Sequence, residues 1–370
     1  LALRDDGWKV LVICPLGQRD SATVEQLDGV EIYRHPLHEA RSTPGYLREY
    51  AEALFHESRL LLKLYRRHRF SVIHACNPPD LLLIFCAFYK LLGVRLVFDQ
   101  HDLSPEIMEV RNGRGLLYCA MLLAEWCSFK LADAVLSSNE TFREVALGRG
   151  GKRPEQVSVV HTVPDISHLK RLLPDGRLRG DRSIIVGYVG IIGVQDGLDH
   201  LIHATEHLVR RHGITDFRTI VVGDGPALAK NRELAESLGL QDHISFTGYL
   251  SGEALWRQLS DFDIGSIPDP VNSFNDKISM NKVFEYSALG IPTVSYPLTE
   301  TRRLLGDVGT YAADPHPSGL ADAIALLIRD RAQREHKGRR SKALADTAFS
   351  WDREKSSLIA AYARLAPSAE

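Results

Sequence analysis

Short apolar runs recur along the chain, each closed by a polar or glycine-rich break and followed by a longer segment with helical spacing. In the first half these runs cover residues 10–14, 30–34, 72–75, 96–98, 134–137 and 157–160. Helical segments separate most of them, which predicts a parallel sheet covered on both faces. Residues 172–183 are rich in Pro, Asp, Gly and Arg and show no apolar period. A second alternation starts at 184–189 and continues through 219–223, 244–248, 263–267 and 293–295. The pattern therefore predicts an α/β protein of two Rossmann-like, doubly wound domains, 1–171 and 184–350, joined by a linker at 172–183. Residues 351–370 hold a last amphipathic helix, expected to pack back across the junction. At the other end, residues 1–7 read as the last turns of a helix with its glycine stop, so a first strand before them is expected to be missing.

The most informative segment is 279–295. Ser279 or Asn281 can cap a helix, Gly290 and Pro292 can end it, and Val283, Phe284, Ala288 and Ile291 form its core-facing stripe. The start of such a helix offers unpaired amides and a partial positive charge to an anion. Lys282 adds a full charge there and Glu285 follows one turn later, so a diphosphate at the helix start would bring its ribose to Glu285. That arrangement suggests a nucleotide-sugar site.

In open α/β sheets, ligands sit beyond the carboxyl ends of the strands, so two facing domains are expected to form one deep cleft. Gly223-Asp224-Gly225-Pro226 follows a strand, and its glycines would either let backbone approach a ligand or simply make a tight turn. The run from Gly187 to Gly193 is glycine-rich but is not the dinucleotide fingerprint, which disfavours nicotinamide or flavin. His101 stands just past a strand, as a loop-holding residue or as a partner for a substrate hydroxyl, with Asp102 and Glu106 nearby for an acceptor. Asn77, after the preceding strand, starts a turn or touches substrate. No metal-ligand or nucleophile pattern is found, and His200, His203 and His207 read as a solvated helix face.

The chain has 370 residues, 44% hydrophobic and 25% charged, with a formal net charge of −2. Near-neutrality argues against a nucleic-acid binder that works through a general basic field. Cys14, Cys76, Cys86, Cys119 and Cys127 are odd in number with no Cys-x-x-Cys pair, which fits reduced thiols in the cytoplasm. Lys90, Glu125 and Lys130 interrupt the longest apolar runs, so neither a transmembrane helix nor a signal peptide is expected from these residues. The basic segment 59–69 has two readings: cations expected at a helix end, or attachment to an anionic bilayer surface aided by the apolar run 116–123.

With these residues in place, the chain resembles the retaining glycosyltransferases of family 4, especially bacterial members that build exopolysaccharide or surface glycans. The likeness rests on residues 75–79, 101–106, 187–193 and, most specifically, 276–286. It implies the GT-B fold and transfer of a sugar from a nucleotide diphosphate donor, UDP- or GDP-linked, with retention and without a metal or other cofactor. Glu285 matches the end of the family's Glu-x7-Glu motif and would bind ribose hydroxyls. The first glutamate falls at Lys277, a departure that leaves two roles for this lysine: holding the diphosphate or holding a carboxylate of the sugar.

After Gly190 many relatives have an arginine and a lysine for the phosphates, where this chain has Ile191 and Asp196. Lys282 and Lys277 are then the candidates for the positive charge. By the same resemblance His101 contacts the donor sugar, Gly248 and Tyr249 receive the base, and Gly193, Gly223 and Gly225 line the donor site. The implied acceptor is a glycan or polyprenyl-linked glycan, in cell-surface polysaccharide synthesis at the inner face of the membrane. Two rival functions are a non-catalytic sugar-nucleotide-binding paralogue, which Lys277 and the absent phosphate arginine favour, and a GT-B sugar-nucleotide epimerase.

Overall fold

Residues 1–17, 22–38, 43–163, 172 and 179–365 are described by the structure, a computed structural model, with the side chains of Thr43, Pro44, Tyr46 and Leu47 outside that description. The chain divides into two units: Leu1–His161 with Glu354–Glu370, and Thr162–Arg353.

In the first unit, β1 (Leu11–Pro15), β2 (Val24–Leu27) and β3 (Val30–His35) form a sheet of order β1-β3-β2 in which only β2 runs antiparallel. A second, parallel sheet has the order β4 (Val72–Cys76), β5 (Arg95–Gln100), β6 (Ala134–Ser137) and β7 (Val157–Val159). The helices are α1 (Ala2–Asp5), α2 (Thr43–His68), α3 (Leu82–Phe85), α4 (Ala87–Leu91), α5 (Ser104–Asn112), α6 (Leu116–Leu131) and α7 (Glu140–Gly148). Leu96, Val97 and Phe98 of β5 are all buried because both faces are covered, which is why this strand reads as an unbroken apolar run. Leu96 and Phe98 pack with Phe129 on one side, and Val97 packs with Ala361, Tyr362 and Leu365 on the other.

The second unit holds one parallel sheet of order β10-β9-β8-β11-β12-β13. Its strands are β8 (Ile184–Val189), β9 (Phe217–Val222), β10 (Ile244–Gly248), β11 (Ile264–Ile267), β12 (Thr293–Ser295) and β13 (Thr310–Tyr311). Around it lie α8 (Leu198–Arg210), α9 (Leu228–Ser237), α10 (Gly252–Ser260), α11 (Asn281–Ala288), α12 (Thr299–Leu305), α13 (Pro317–Arg329) and α14 (Arg331–Ala348). Leu198, Leu201, Ile202, Thr205 and Leu208 recur at helical spacing on α8 and are all buried.

Each apolar run read from the sequence is a strand, and two strands were not foreseen. β2 lies at a sheet edge with Val24 and Leu27 exposed, so burial imposes no alternation on it, and β13 is two residues long. The last helix, α15 (Trp351–Ala363), belongs from Glu354 onward to the first unit, where Tyr362 meets Trp8 edge-on at 5.2 Å. Residues 173–178 of the expected linker lie outside the described residues. The rest of that segment is tied to the second unit: Leu172 N donates to Ser260 Oγ at 3.0 Å, and Arg179 binds Asp263 at 2.9 Å.

Candidate functional site

Two strand-end regions carry the residues singled out above, one in each unit. In the second unit α11 starts after Met280, whose extended backbone (ψ 123°) is the N-cap, and no side chain caps it. This corrects the expected cap by Ser279 or Asn281. Asn281 is already the first helical residue, and Ser279 Oγ is buried with no hydrogen-bond partner. The helix stops as expected at Gly290, whose φ of 65° is open to glycine without strain, and Val283, Phe284, Ala288 and Ile291 are buried.

Lys282 is 8% exposed, and its Nζ lies 2.7 Å from Asp269 Oδ2 and 4.6 Å from the Tyr188 ring centroid. The side chain is thus held in a buried ion pair inside its own unit. Burial pulls the ammonium down, but the Asp269 carboxylate outweighs it and leaves Lys282 above its ordinary range. The same burial raises Asp269 in spite of the ammonium. Lys282 Nζ donates to Asp269 Oδ2 at 2.7 Å, a length typical of a charge-assisted hydrogen bond. Glu285, half-buried on the next turn, is raised by burial, with Lys282 opposing.

The loops after β8 and β9, at the same end of the sheet, press against each other. Gly190 N donates to Val222 O at 3.1 Å, Ile192 N to Asp224 O at 3.0 Å, and Ala227 N to Ile192 O at 2.9 Å. A Cβ on Gly223 would come within 1.9 Å of Gly190 O, and one on Gly225 within 2.5 Å of Ile192 O, so both glycines are required by close backbone approach. Gly223 N in turn donates to Gly248 O at 3.0 Å, and beyond it Tyr249 is 64% exposed. Tyr286 of α11 docks the helix on β8, accepting from Val189 N at 3.2 Å. The structure therefore gathers Gly193, Gly223, Gly225, Gly248 and α11 at one end of one sheet. Lys277, half-buried, lies in the turn before α11, with its N–H bonded to Phe274 O at 3.0 Å. Ile191 and Val194 are 73% and 81% exposed in the β8 loop.

In the first unit the loops after β4 and β5 are locked by side chains. Asn77 Oδ1 accepts from His101 N at 2.7 Å and from Asp102 N at 3.2 Å. Its Nδ2 donates to Asp80 Oδ1 at 2.9 Å and Asp102 O at 2.8 Å, so this buried amide ties the two loops together. Glu106 is buried, and both its oxygens are bound by Arg149, at 2.9 and 3.1 Å. Arg149 is shared with buried Glu125, at 2.7 Å. One guanidinium facing two carboxylates ends above its usual range, while burial pushes Glu125 up to about 7.

Asp102 is half-buried and raised by burial to about 6. His101 Nε2 lies 3.1 Å from Asp99 Oδ2, and that carboxylate, followed by the Cys76 sulfur, pushes the imidazole up to about 10 against burial. Asp269, Asp99 and His74 were not singled out in the sequence. His74 and Cys76 alternate on one face of β4, a spacing visible in the sequence once the strand is assigned.

The surface of the first unit carries the basic segment and the apolar run. Arg59, Lys63, Arg66 and Arg67 line a groove along α2 with Leu60 and Leu62. On α6, Leu116, Leu123 and Trp126 are 92%, 61% and 47% exposed. Among the described residues no helix is long and apolar enough to cross a membrane.

Two family models match the chain: residues 1–168 match Glycosyltransferase Family 4, and residues 183–330 match Glycosyl transferases group 1. The alpha-D-kanosaminyltransferase of Streptomyces kanamyceticus is 27% identical over 172 residues, 46% of this chain and 42% of that protein. The chain thus spans about half the length of the curated relatives it matches first. Among solved structures, sucrose-phosphate synthase from Thermosynechococcus elongatus is similar with a TM-score of 0.80 at 17% identity, covering 98% of this chain and 90% of that one. HepE from Anabaena, in complex with UDP and glucose, gives a TM-score of 0.69 at 17% identity, with 90% of this chain and 86% of that chain covered. These likenesses give the fold as GT-B type, two α/β Rossmann-like units.

Proposed function

We propose that this GT-B chain, related in both halves to family 4 glycosyltransferases, transfers a sugar from a nucleotide diphosphate donor with retention of anomeric configuration. The observation that carries the reading is local to the second unit: a helix start with no side-chain cap lies at the same end of the sheet as two interlocked glycine loops, with a half-buried carboxylate one turn along. Amides at the start of α11 would hold the diphosphate, and Glu285 would accept hydrogen bonds from the ribose. Gly193, Gly223 and Gly225 admit the phosphates or sugar against bare backbone. Gly248 and exposed Tyr249 take the base.

Charge grows on the leaving diphosphate in the transition state, so fixed donors aimed at it lower the barrier without a metal at that position. Lys282 contributes its backbone N–H directly and its ammonium through the pair with Asp269. Lys277 supplies further positive charge. In the first unit His101, held as a cation beside Asp99, donates to the donor sugar, and Asp102 is the carboxylate offered to the acceptor. Glu106 and Asn77 shape that loop through Arg149, Asp80 and the two backbone amides they hold.

The acceptor class in this reading is a surface glycan, lipid-linked through a polyprenyl carrier. Its support is the cationic groove on α2 and, on another helix of the same unit, exposed Leu116, Leu123 and Trp126 on α6, each of which suits an anionic bilayer surface at the cytoplasmic side. A second reading, nucleotide-sugar binding without transfer, is favoured by one observation: Ile191, after Gly190 in the β8 loop, projects into solvent and offers no cation to a phosphate.

One experiment separates the two. A panel of UDP- and GDP-sugars is screened by thermal shift, and the best binder is then followed for nucleotide release with and without candidate acceptors. Transfer predicts a rise in melting temperature and release of the nucleoside diphosphate. A rise without release leaves only binding, and no rise with any donor removes both readings.

A further inference from the structure

A cluster of metal-type donors lies in the first unit, under the last helix. His74 and Cys76 point to the same face of β4, and Asp99 is the register partner of Cys76 on the neighbouring strand β5. His74 Nε2 is 2.8 Å from Asp99 Oδ2, and Cys76 Sγ is 3.6 Å from the same oxygen. One donor atom from each of the three lies within 4.8 Å of the other two. His101 Nε2 approaches the same carboxylate oxygen to 3.1 Å. Nitrogen, sulfur and oxygen atoms thus converge on one small volume, on two paired strands rather than on a surface loop.

The distances have a geometric meaning. A tetrahedral zinc ion with bonds of about 2.0–2.3 Å to nitrogen, oxygen and sulfur separates its ligand atoms by roughly 3.3–3.7 Å. The approaches of 2.8 and 3.6 Å differ from those edges by no more than a small rotation of a side chain. The ring orientation is also supplied. His74 Nδ1 is 2.7 Å from the hydroxyl of Tyr362 on α15, so the other ring nitrogen, Nε2, is the one turned toward the cluster. A partner of this kind behind a ligating histidine fixes the ring and its tautomer. Tyr362 is itself buried, packed edge-on against Trp8, so it does not drift. The side chains of His74 and Asp99 keep 26% and 18% exposure, which leaves a way in for an ion.

We propose that His74 Nε2, Cys76 Sγ and Asp99 Oδ2 bind one zinc ion, with the fourth position facing His101. A thiolate and a carboxylate balance the two positive charges of the ion, and the imidazole completes the set. The ion would fasten β4 to β5 beneath α15, in the unit that does not contain α11, and it would take the Asp99 oxygen that His101 otherwise approaches. A motif search on the sequence misses it because the ligands come from two strands: His74 and Asp99 are 25 residues apart.

The test uses the full chain, with any histidine tag removed, loaded with zinc and dialysed against metal-free buffer, then measured for zinc per chain by mass spectrometry. Cobalt replacement gives a second readout, since a tetrahedral site with one thiolate shows a sulfur-to-cobalt charge-transfer band beside intense visible bands. The expected result is one equivalent of zinc and that spectrum, both lost in Cys76→Ser and Asp99→Asn and both kept in Cys119→Ser, which removes an exposed thiol on α6. Tyr362→Phe is expected to weaken zinc about tenfold to a hundredfold while leaving the cobalt band in place. Magnesium, which prefers six oxygens, is expected not to compete. Should a variant fail to fold, the cobalt band in the unaltered chain still decides the matter. Absence of retained zinc and of the band, or Cys76→Ser binding zinc as tightly as the parent, overturns the site.

Discussion

The carboxyl ends of the central strands are built in opposite ways in the two units. In the first, the loops after β4 and β5 are filled with side chains that satisfy one another: Asn77 with Asp80 and two amides, Glu106 and Glu125 with Arg149, and Asp99 with two imidazoles. In the second, the loops after β8 and β9 meet backbone to backbone through Gly190, Gly223 and Gly225, and α11, which follows β11 at the same end of the sheet, starts, like α5 of the first unit, without a side-chain cap. A surface locked by its own hydrogen bonds presents a fixed shape and fixed charges. Bare backbone at a helix start presents unsatisfied donors. The second arrangement is the one that suits a polyanion, and Lys282 lies behind it in a buried pair.

The largest expected effect strikes the second unit through that pair. Lys282→Ala leaves Asp269 buried without its cation and should cost about 3–5 kcal/mol of stability, read as a lower midpoint of urea unfolding. Replacing both partners, Lys282→Met with Asp269→Leu, should recover most of that loss. A double variant no more stable than Lys282→Ala would mean that the pair is not what holds this corner. Gly223→Ala comes next, at about 3 kcal/mol, because backbone has to move to admit the new atom. Gly248→Ala, where nothing lies within 4 Å but φ is 76°, should cost only about 1 kcal/mol. Equal costs at the two glycines would contradict the interlocked-loop account.

The first unit is best probed by pH. Burial lifts Glu125 from an ordinary value of 4.5 to about 7 in the folded chain. Between those values the folded state binds a proton that the unfolded state lacks, so this contribution to stability is present below about pH 4.5 and is lost as pH rises through 7. Glu125→Gln should flatten the fall in melting temperature over that window, and an unchanged slope would assign it to another group. The smallest stability effect is expected at Glu285. Glu285→Gln should leave unfolding nearly unchanged but weaken nucleotide diphosphate binding about tenfold, the loss of one charged hydrogen-bond acceptor, as measured by calorimetry.

Much of this architecture was legible in the residues because burial imposes a pattern. β5 and β8 are covered on both faces and read as continuous apolar runs, and the stripe and stop of α11 follow from Val283, Phe284 and Gly290. β2 carries no such imprint, since its edge position leaves Val24 and Leu27 in solvent. The candidate site was legible in its local parts, the helix start and the glycines, and not in its long-range pairs. Nothing in the spacing marks Asp269 as the partner of Lys282, thirteen residues later, or Tyr362 as the partner of His74. The reading of Ser279 or Asn281 as a cap rested on residue type alone, and the backbone starts the helix in between.

The central claim is that a diphosphate docks on the backbone amides at the start of α11 with its pentose at Glu285, and a crystal structure of the chain with bound UDP or GDP tests it most directly. The account predicts phosphate oxygens within about 2.7–3.2 Å of the N–H groups of Asn281 or Lys282, and ribose hydroxyls at the same range from the Glu285 carboxylate. A nucleotide bound away from α11, with these amides facing only solvent, would contradict it.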